Sequence, residues 1–363
     1  MAVEWVDVSD IHLRDIRFEI TRADGRVVNF SDVVSEFTRS DHVNTAGVEV
    51  NINAVGEVSD ILSIGGEGSS CRVTAPLVDL NTGKLVRREL WRGIFEDVVD
   101  QRSQGQIERT VTAYDIAKFL VTNDEDYVFK NSSLSSIVGQ VCRDFSIPIG
   151  TIPTTTQTLG QIVMRGRGLW DLIQEAVQRH ADLTGEVYYV YADAGRLNMR
   201  KQGDQSRYWV FETGESVQDV RRTRSIRDVI NKVKVYGVFE GEADKPSVVS
   251  TKTNDQSISL YGQRQRVEYL SSAEDQDKVL KIVQKTLDRY AAPEEYVEIT
   301  GWLVPNLRAG EQIRFIDSDW GLNRLYYVES VQNTWSISRA ESVATVKREA
   351  IEPDIILDEV SVA

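Results

Sequence analysis

The strongest constraint on this chain is a change of hydrophobic period partway along it. Up to about residue 112, apolar and polar side chains alternate in short runs, as in Arg17-Phe18-Glu19-Ile20, Gly47-Val48-Glu49-Val50-Asn51-Ile52 and Cys71-Arg72-Val73-Thr74-Ala75. A period of two gives each strand one buried and one wet face. Between Leu134 and Phe145 the period lengthens, and Leu134, Ile137, Val138, Val141, Cys142 and Phe145 share one face of an α-helix. From about residue 215 the period of two returns. The pattern predicts a β-rich α+β multidomain chain, with two β regions flanking a mixed α+β insertion.

Turn chemistry punctuates the first region at Asp24-Gly25 and Asn81-Thr82-Gly83, where glycine accepts positive φ at no steric cost. Its clearest strands are Leu90 to Val98 and Ile107 to Ala113, joined by a polar turn through Ser103-Gln104-Gly105. In the insertion, Ser132 or Ser133 caps the helix and Pro148 stops it. Leu169, Leu172, Ile173, Ala176, Val177 and His180 predict a second helix, and Tyr188 to Tyr191, Asp193-Ala194-Gly195 and Leu197 to Met199 read as a hairpin. Further on come a strand at Asn231–Gly237, an exposed loop from Glu242 to Gln256, and a helix opened by the capping box Ser271-Ser272-Ala273-Glu274. That helix carries Val279, Ile282, Val283, Thr286, Leu287 and Tyr290 on one face, and Pro293 ends it. Strands at Tyr296–Trp302, Gln312–Ile316, Leu325–Thr334 and Glu341–Arg348 complete the region, and the acidic tail from Ile351 reads as loosely attached. The hairpin of Phe95 to Val99 with Arg109 to Ala113 matches that of Val328 to Gln332 with Ser342 to Val346 in order and spacing, the mark expected of an internal repeat.

At 363 residues and 41% hydrophobic content the chain can bury more than one core. Its formal charge, 42 − 56 = −14, opposes nonspecific binding to a phosphate backbone. No apolar run is long enough to span a membrane, and the N-terminus lacks the basic-then-apolar order of a secretion signal. Cys71 and Cys142 fit neither a disulfide framework nor a zinc motif and read as buried reduced thiols.

No catalytic constellation emerges. His12, His42 and His180 stand apart from any metal-ligand spacing. The glycines of Gly65-Gly66-Glu67-Gly68-Ser69-Ser70 lack a phosphate-loop lysine and read as a hairpin loop. Met164 to Leu169 reads as a sharp turn before a helix, with anion binding at the helix N-terminus as the alternative. The acidic pairs Glu96-Asp97 and Glu294-Glu295 and the run Asp124-Glu125-Asp126 read as solvent-facing decoration. Arg221, Arg222, Arg224 and Arg227 form either a solvated face or a contact patch for an acidic partner subunit. No cofactor and no metal is expected, and a binding or structural protein explains the chain better than an enzyme.

Ala113-Tyr114-Asp115, Tyr127-Val128-Phe129-Lys130-Asn131, Ser132 to Ile137, Cys142-Arg143-Asp144-Phe145, Ile147-Pro148-Ile149-Gly150, Asn231–Gly237, Tyr261 to Gln265 and Gly310 to Ser318 resemble the phage tail baseplate hub family of the PBSX-prophage type, relatives of the central hub of T-even phages. The resemblance implies two tube-like β-barrel domains, at 1–115 and 213–350. A helical connector at 116–150, a small α+β domain at 151–212 and the acidic tail 351–363 make up the rest. It implies a homotrimer around a channel, joining a six-fold tail tube protein to a three-fold central spike protein. Other baseplate components and a tape-measure protein would lie nearby, and DNA would meet the protein only in transit. Such a protein is made in the bacterial cytoplasm and resides in a virion tail baseplate or phage-like particle. Tyr114, Asp115, Tyr127, Phe129, Phe145, Pro148 and Gly150 are its motif and packing residues. The alternative is a tail-associated protein that binds or cleaves peptidoglycan, with 151–205 as the wall-binding module.

Overall fold

The computed structural model describes residues 4–6, 11–22, 25–79, 82, 84–103, 106–205, 207–237, 247–270, 283–284, 286–288, 290–337, 340–347 and 358–362. Among these, 15 strands form one large sheet. Part of it is a set of five lying side by side in the order Ser70–Asp79, Lys84–Ser103, Gln106–Tyr114, Glu49–Gly56 and Val34–His42. A second set lies in the order Gln312–Asp317, Leu322–Ser336, Ala340–Lys347, Glu294–Trp302 and Val217–Ser225. In both sets the strands are visited by the chain in the same sequence.

Registers match as well. Phe95 pairs with Ala113 and Asp97 with Thr112, a bulge leaving Glu96 over; Val328 pairs with Val346 and Ser330 with Thr345, leaving Glu329 over. Val50 faces Ala113 as Val297 faces Val346, and Arg39 faces Val50 as Arg222 faces Val297. A second bulge falls at Ser35 in one set and Gln218 in the other. Alternation alone requires no bulge, so two at matching positions mark a duplicated unit. The hairpin similarity in the sequence is its visible part.

The two units do not stand apart. Leu322–Ser336 is long enough to serve both: its first half pairs with Gln312–Asp317, and on its second half Ser330 to Ser336 pair antiparallel with His42 to Glu36 of the first unit. Across this seam Phe37 stacks on Trp335 at 5.1 Å, and Phe18 meets Phe37 edge-on at 5.1 Å. All three rings are fully buried in one cluster that draws on both units. The expected pair of separate barrels therefore differs from the structure in one respect: among the described residues the strand path is open and runs continuously from one unit into the other.

The insertion has its own core. Helix Leu134–Asp144 is capped by Ser133, whose hydroxyl accepts from Ser136 N, and helix Leu169–Thr184 ends at Gly185 with φ 79°, a left-handed position that favours glycine. Both bury the predicted faces against the hairpin of Tyr188–Asp193 and Arg196–Lys201. The boundary expected at 150/151 is crossed by a two-stranded sheet, Asp124–Lys130 with Gln161–Gly168, and by a single hydrophobic cluster that gathers Ala46 with buried residues from Ala117 to Met199. The segment behaves as one packing unit because neither half can cover the other's apolar helix face alone. Arg207–Glu212, expected in this domain, instead joins the large sheet beside Gln312–Asp317.

Several expectations from sequence change. Gly65 to Ser69 links helix Val58–Ser63 to strand Ser70–Asp79 and is not a hairpin loop. Arg165 and Gly166 form a bulge within strand Gln161–Gly168, with Gly166 N donating to Asp126 Oδ1 at 2.7 Å, in place of a sharp turn. Of the predicted loop Glu242 to Gln256, Ser247–Thr253 is a strand antiparallel to Lys232–Gly237, and helix Asp255–Tyr261 follows; 242–246 lie outside the described residues. Gln265–Leu270 completes a three-stranded sheet. Val233 and Val235 pack there on Val283 and Leu287, which belong to the described part of the third helix. The start of that helix, with Ser271, Ala273, Glu274, Val279 and Ile282, lies outside the described residues. In the tail, Asp358–Val362 pairs with Arg207 to Val210 and is not loose there.

Candidate functional site

The first unit, the second unit and the insertion meet at a cluster of charged side chains. Arg39, 1% exposed, sits mid-strand where alternation expects an apolar residue. Its Nη1 donates to Leu307 O at 3.2 Å and its Nη2 to Asp41 Oδ2 at 3.3 Å. Burial, with Arg308 adding repulsion, pulls its pKa down to about 10. Asp41 also accepts from Ala309 N at 3.3 Å. From the second unit, Arg308 donates to Ala192 O at 2.8 Å and Asp193 Oδ1 at 2.7 Å of the insertion. Arg200 donates to Glu311 Oε1 at 2.9 Å and Ala309 O at 2.8 Å. Both cations lie over the Tyr191 ring, Arg200 at 5.0 Å and Arg308 at 5.6 Å from its centre, each within cation–π range. Removing one member of such a set strands the others in a poorly solvated place. What this geometry does chemically is lock three packing units in one orientation.

Two recesses border the junction, one lined by Arg39, Asp115, Asp193 and Arg308 and the other by Asp41, His42, Asp115 and Tyr191. Each has room for about one water molecule, too little for a substrate. Among the described residues no group of three His, Cys, Asp or Glu side chains is placed to hold a metal ion. Cys71 and Cys142 are buried and unpaired, and burial pushes both thiols up, Cys142 to about 11. Neither is placed to act as a thiolate.

Asp115 is buried at the exit from the first unit. Its carboxylate accepts from Val48 N at 3.0 Å and Ala117 N at 2.9 Å, so it caps the short 3-10 turn Ile116–Lys118. Burial pushes its pKa up to about 6, against the lowering by those two N–H groups. Tyr114 donates to Glu49 Oε2 at 2.8 Å with Lys118 Nζ 3.9 Å over its ring; burial and Glu49 push its hydroxyl up to about 12. Tyr127 stacks on Phe129 at 5.1 Å and donates to Asp144 Oδ2 at 2.7 Å. Phe145 packs at the rim of the insertion's core. Pro148 O accepts from Leu197 N at 2.8 Å, and Gly150 N donates to Leu197 O at 2.8 Å. Tyr114 and Asp115 thus sit at the seam, while the other motif residues sit inside or around the insertion.

Gly150 has no room for a side chain: a Cβ there would come within 2.2 Å of Asn198 Oδ1. That amide is committed, accepting from Thr151 N at 2.7 Å and donating to Arg196 O at 2.9 Å. Gly150→Ala is therefore expected to destabilise the insertion by about 1–3 kcal/mol, in the range of overpacking. A lowered urea midpoint checks this, and a Gly195→Ala variant is the wrong control because its φ of 72° adds backbone strain.

The arginine patch is partly satisfied within the chain. Glu295, expected at the surface, is 8% exposed and accepts from Arg222 Nε at 3.0 Å, Arg224 Nε at 3.1 Å and Tyr326 hydroxyl at 3.0 Å. Burial alone would raise this carboxyl; the Arg222 and Tyr326 hydrogen bonds overcome it and hold the pKa below its ordinary value. Arg221 and Arg227 are exposed. The charge junction of Arg39, Asp41, Arg200, Arg308 and Glu311 went unnoticed in the sequence; the lone arginine on the apolar face of Val34, Phe37 and Arg39 was its one legible sign.

The same fold occurs in a phage tail protein. The 43 kDa tail protein of prophage MuSo2 from Shewanella oneidensis superposes with a TM-score of 0.67 at 17% identity, covering 91% of this chain and 97% of that one. The family model described as YQBQ-like matches residues 67–341, and the chain belongs to that family, a family of the phage tail baseplate type. YqbQ of Bacillus subtilis (strain 168) is 28% identical over 275 residues, 75% of this chain and 82% of its own. The phage-like element PBSX protein XkdQ of the same strain is 25% identical over 244 residues, 66% and 74% of the two chains.

Proposed function

We propose that this protein is the hub of a phage or phage-like tail baseplate: a homotrimer around a channel, with the tail tube protein on one face and the central spike protein on the other. The duplicated five-strand unit carries this reading. Three chains with two like units each present six similar elements, so one ring can match a six-fold tube while keeping three-fold symmetry for a spike. The two units are the elements that would serve as tube-like barrels, each completed by strands of its neighbour, with the insertion 116–205 on the outside. The charge of −14 suits a channel through which DNA passes without sticking.

A peptidoglycan module at 151–205 has less support. Strand Gln161–Gly168 is paired with Asp124–Lys130, and the helix after it shares its core with helix Leu134–Asp144, so the segment does not stand as a grafted domain.

The test is the mass and symmetry of the purified chain, alone and with a spike protein, by light scattering and electron microscopy of negatively stained particles. A three-fold ring of three chains is expected; a monomer persisting at all concentrations with spike present sinks the reading.

A further inference from the structure

The seam inside the chain predicts a second seam between chains. Within the chain, the outer edge of Ser330 to Ser336 in the second unit pairs with the outer edge of His42 to Glu36 in the first. The duplicated registers give each of these segments a counterpart in the other unit. Ser330 to Ser336 corresponds to Asp97–Ser103, because Phe95 and Val328 hold the same place against Ala113 and Val346. Glu36 to His42 corresponds to Asp219–Ser225, because Arg39 and Arg222 hold the same place against Val50 and Val297. Both counterparts are extended strand. Among the described residues, neither has a partner on its second edge.

Burial tells the same story. Phe37, Arg39, Asn333 and Trp335 are all within 1% of full burial at the internal seam. Their counterparts are more open: Val220 and Arg222 are half-buried, and Asp100 and Arg102 are exposed. Val99 is 62% exposed. The net charges are opposite, since one open edge carries Asp97 and Asp100 against Arg102 and the other Arg221, Arg222 and Arg224 against Asp219, although within the chain Asp100 already pairs with Arg109, and Arg222 and Arg224 with Glu295. Open, partly apolar strand edges are templates for pairing.

We propose that the edge Asp97–Ser103 of one copy pairs antiparallel with the edge Asp219–Ser225 of the next copy, from Asp97 opposite Ser225 to Ser103 opposite Asp219. This contact is head-to-tail, and a heterologous contact of this kind repeats until the ring closes. Asp100 then faces Arg222, where Asn333 faces Arg39 inside the chain. Val99 faces Thr223, where Gln332 donates to Ser40 Oγ at 3.3 Å, and Gln101 faces Arg221, where the Thr334 and Thr38 hydroxyls lie 3.4 Å apart. The closure of three copies rests on the hub reading; the strand register does not.

Cysteine pairs test the register in the full chain. The double variant Val99→Cys/Thr223→Cys, oxidised with copper phenanthroline, is expected to give covalent dimers and trimers on a non-reducing gel, and Gln101→Cys/Arg221→Cys should do the same. These positions are at the surface, so the variants keep the fold, as circular dichroism will show. Val98→Cys/Thr223→Cys places the thiols on opposite faces of the paired strands and should cross-link at least ten-fold less, as should each single variant. A trimeric mass with no cross-link in either in-register pair overturns this interface and leaves the hub reading standing. A monomer at every concentration, without cross-links, overturns both.

Discussion

Trp335→Ala should cost about 3–5 kcal/mol of unfolding free energy, the range for removing a large buried aromatic. Trp335 is fully buried, stacked on Phe37, and belongs to the strand of the second unit that pairs with the first. Deleting the ring opens a cavity where the sheet passes from one unit to the other, and the damage should spread across the seam. Trp335→Phe is expected to cost less than half as much. It keeps a ring against Phe37 and removes an indole Nε1 that is buried with no hydrogen-bond partner among the described residues, which is itself unfavourable. Denaturant midpoints of the two variants, read by circular dichroism, give the comparison. A Trp335→Ala loss under 1 kcal/mol would mean that the seam is held by its backbone ladder alone.

The second large effect is expected at Arg39. Arg39→Ala should destabilise by about 3–5 kcal/mol, because it deletes a fully buried guanidinium and leaves the half-buried Asp41 carboxylate without its nearest cation. Among the described residues Asp41 would keep the hydrogen bond from Ala309 N, and Leu307 O would lose the Arg39 donor. The double variant Arg39→Met/Asp41→Asn removes the charge together with its partner and fills the arginine stem's volume. It should recover most of the loss, since apolar replacement of a buried ion pair is often neutral. Urea unfolding at neutral pH decides the point: equal losses in single and double variants would show that the lost guanidinium hydrogen bonds, and not the stranded carboxylate, carry the effect.

Both effects act at the seam between units, which the sequence exposes only in part. The period of two located the strands, as at Gln312–Asp317 and Ala340–Lys347, because one-sided burial imposes alternation wherever a strand has a wet face. The helices Leu134–Asp144 and Leu169–Thr184 were legible for the same reason at a longer period. The strand Ser247–Thr253 was not: Ser, Thr and Lys alternate with few apolar residues, and its place is fixed by backbone pairing to Lys232–Gly237. Glu295 read as surface acid because its partners Arg222 and Tyr326 lie 73 and 31 residues away.

The motif residues show the same division. Tyr114, Asp115 and Gly150 could be singled out by family resemblance, but their work depends on partners distant in the chain. Asp115 needs Val48 N, and Gly150 needs the Asn198 amide beside it. Arg221, Arg222 and Arg224 stood out as charge, while only the strand registers set Arg222 and Arg224 beside Glu295.

The sequence by itself determined the β–αβ–β order, the helix faces and one hairpin of the duplication, since each follows from periodicity or short-range spacing. The tertiary structure alone decided that, among the described residues, the two units run on into each other as a single open sheet, that charged side chains lock the insertion at their seam, and that the edges Asp97–Ser103 and Asp219–Ser225 lack the partners their counterparts have. Those features rest on hydrogen bonds and ion pairs between residues up to 296 positions apart, for which local patterning leaves no signal.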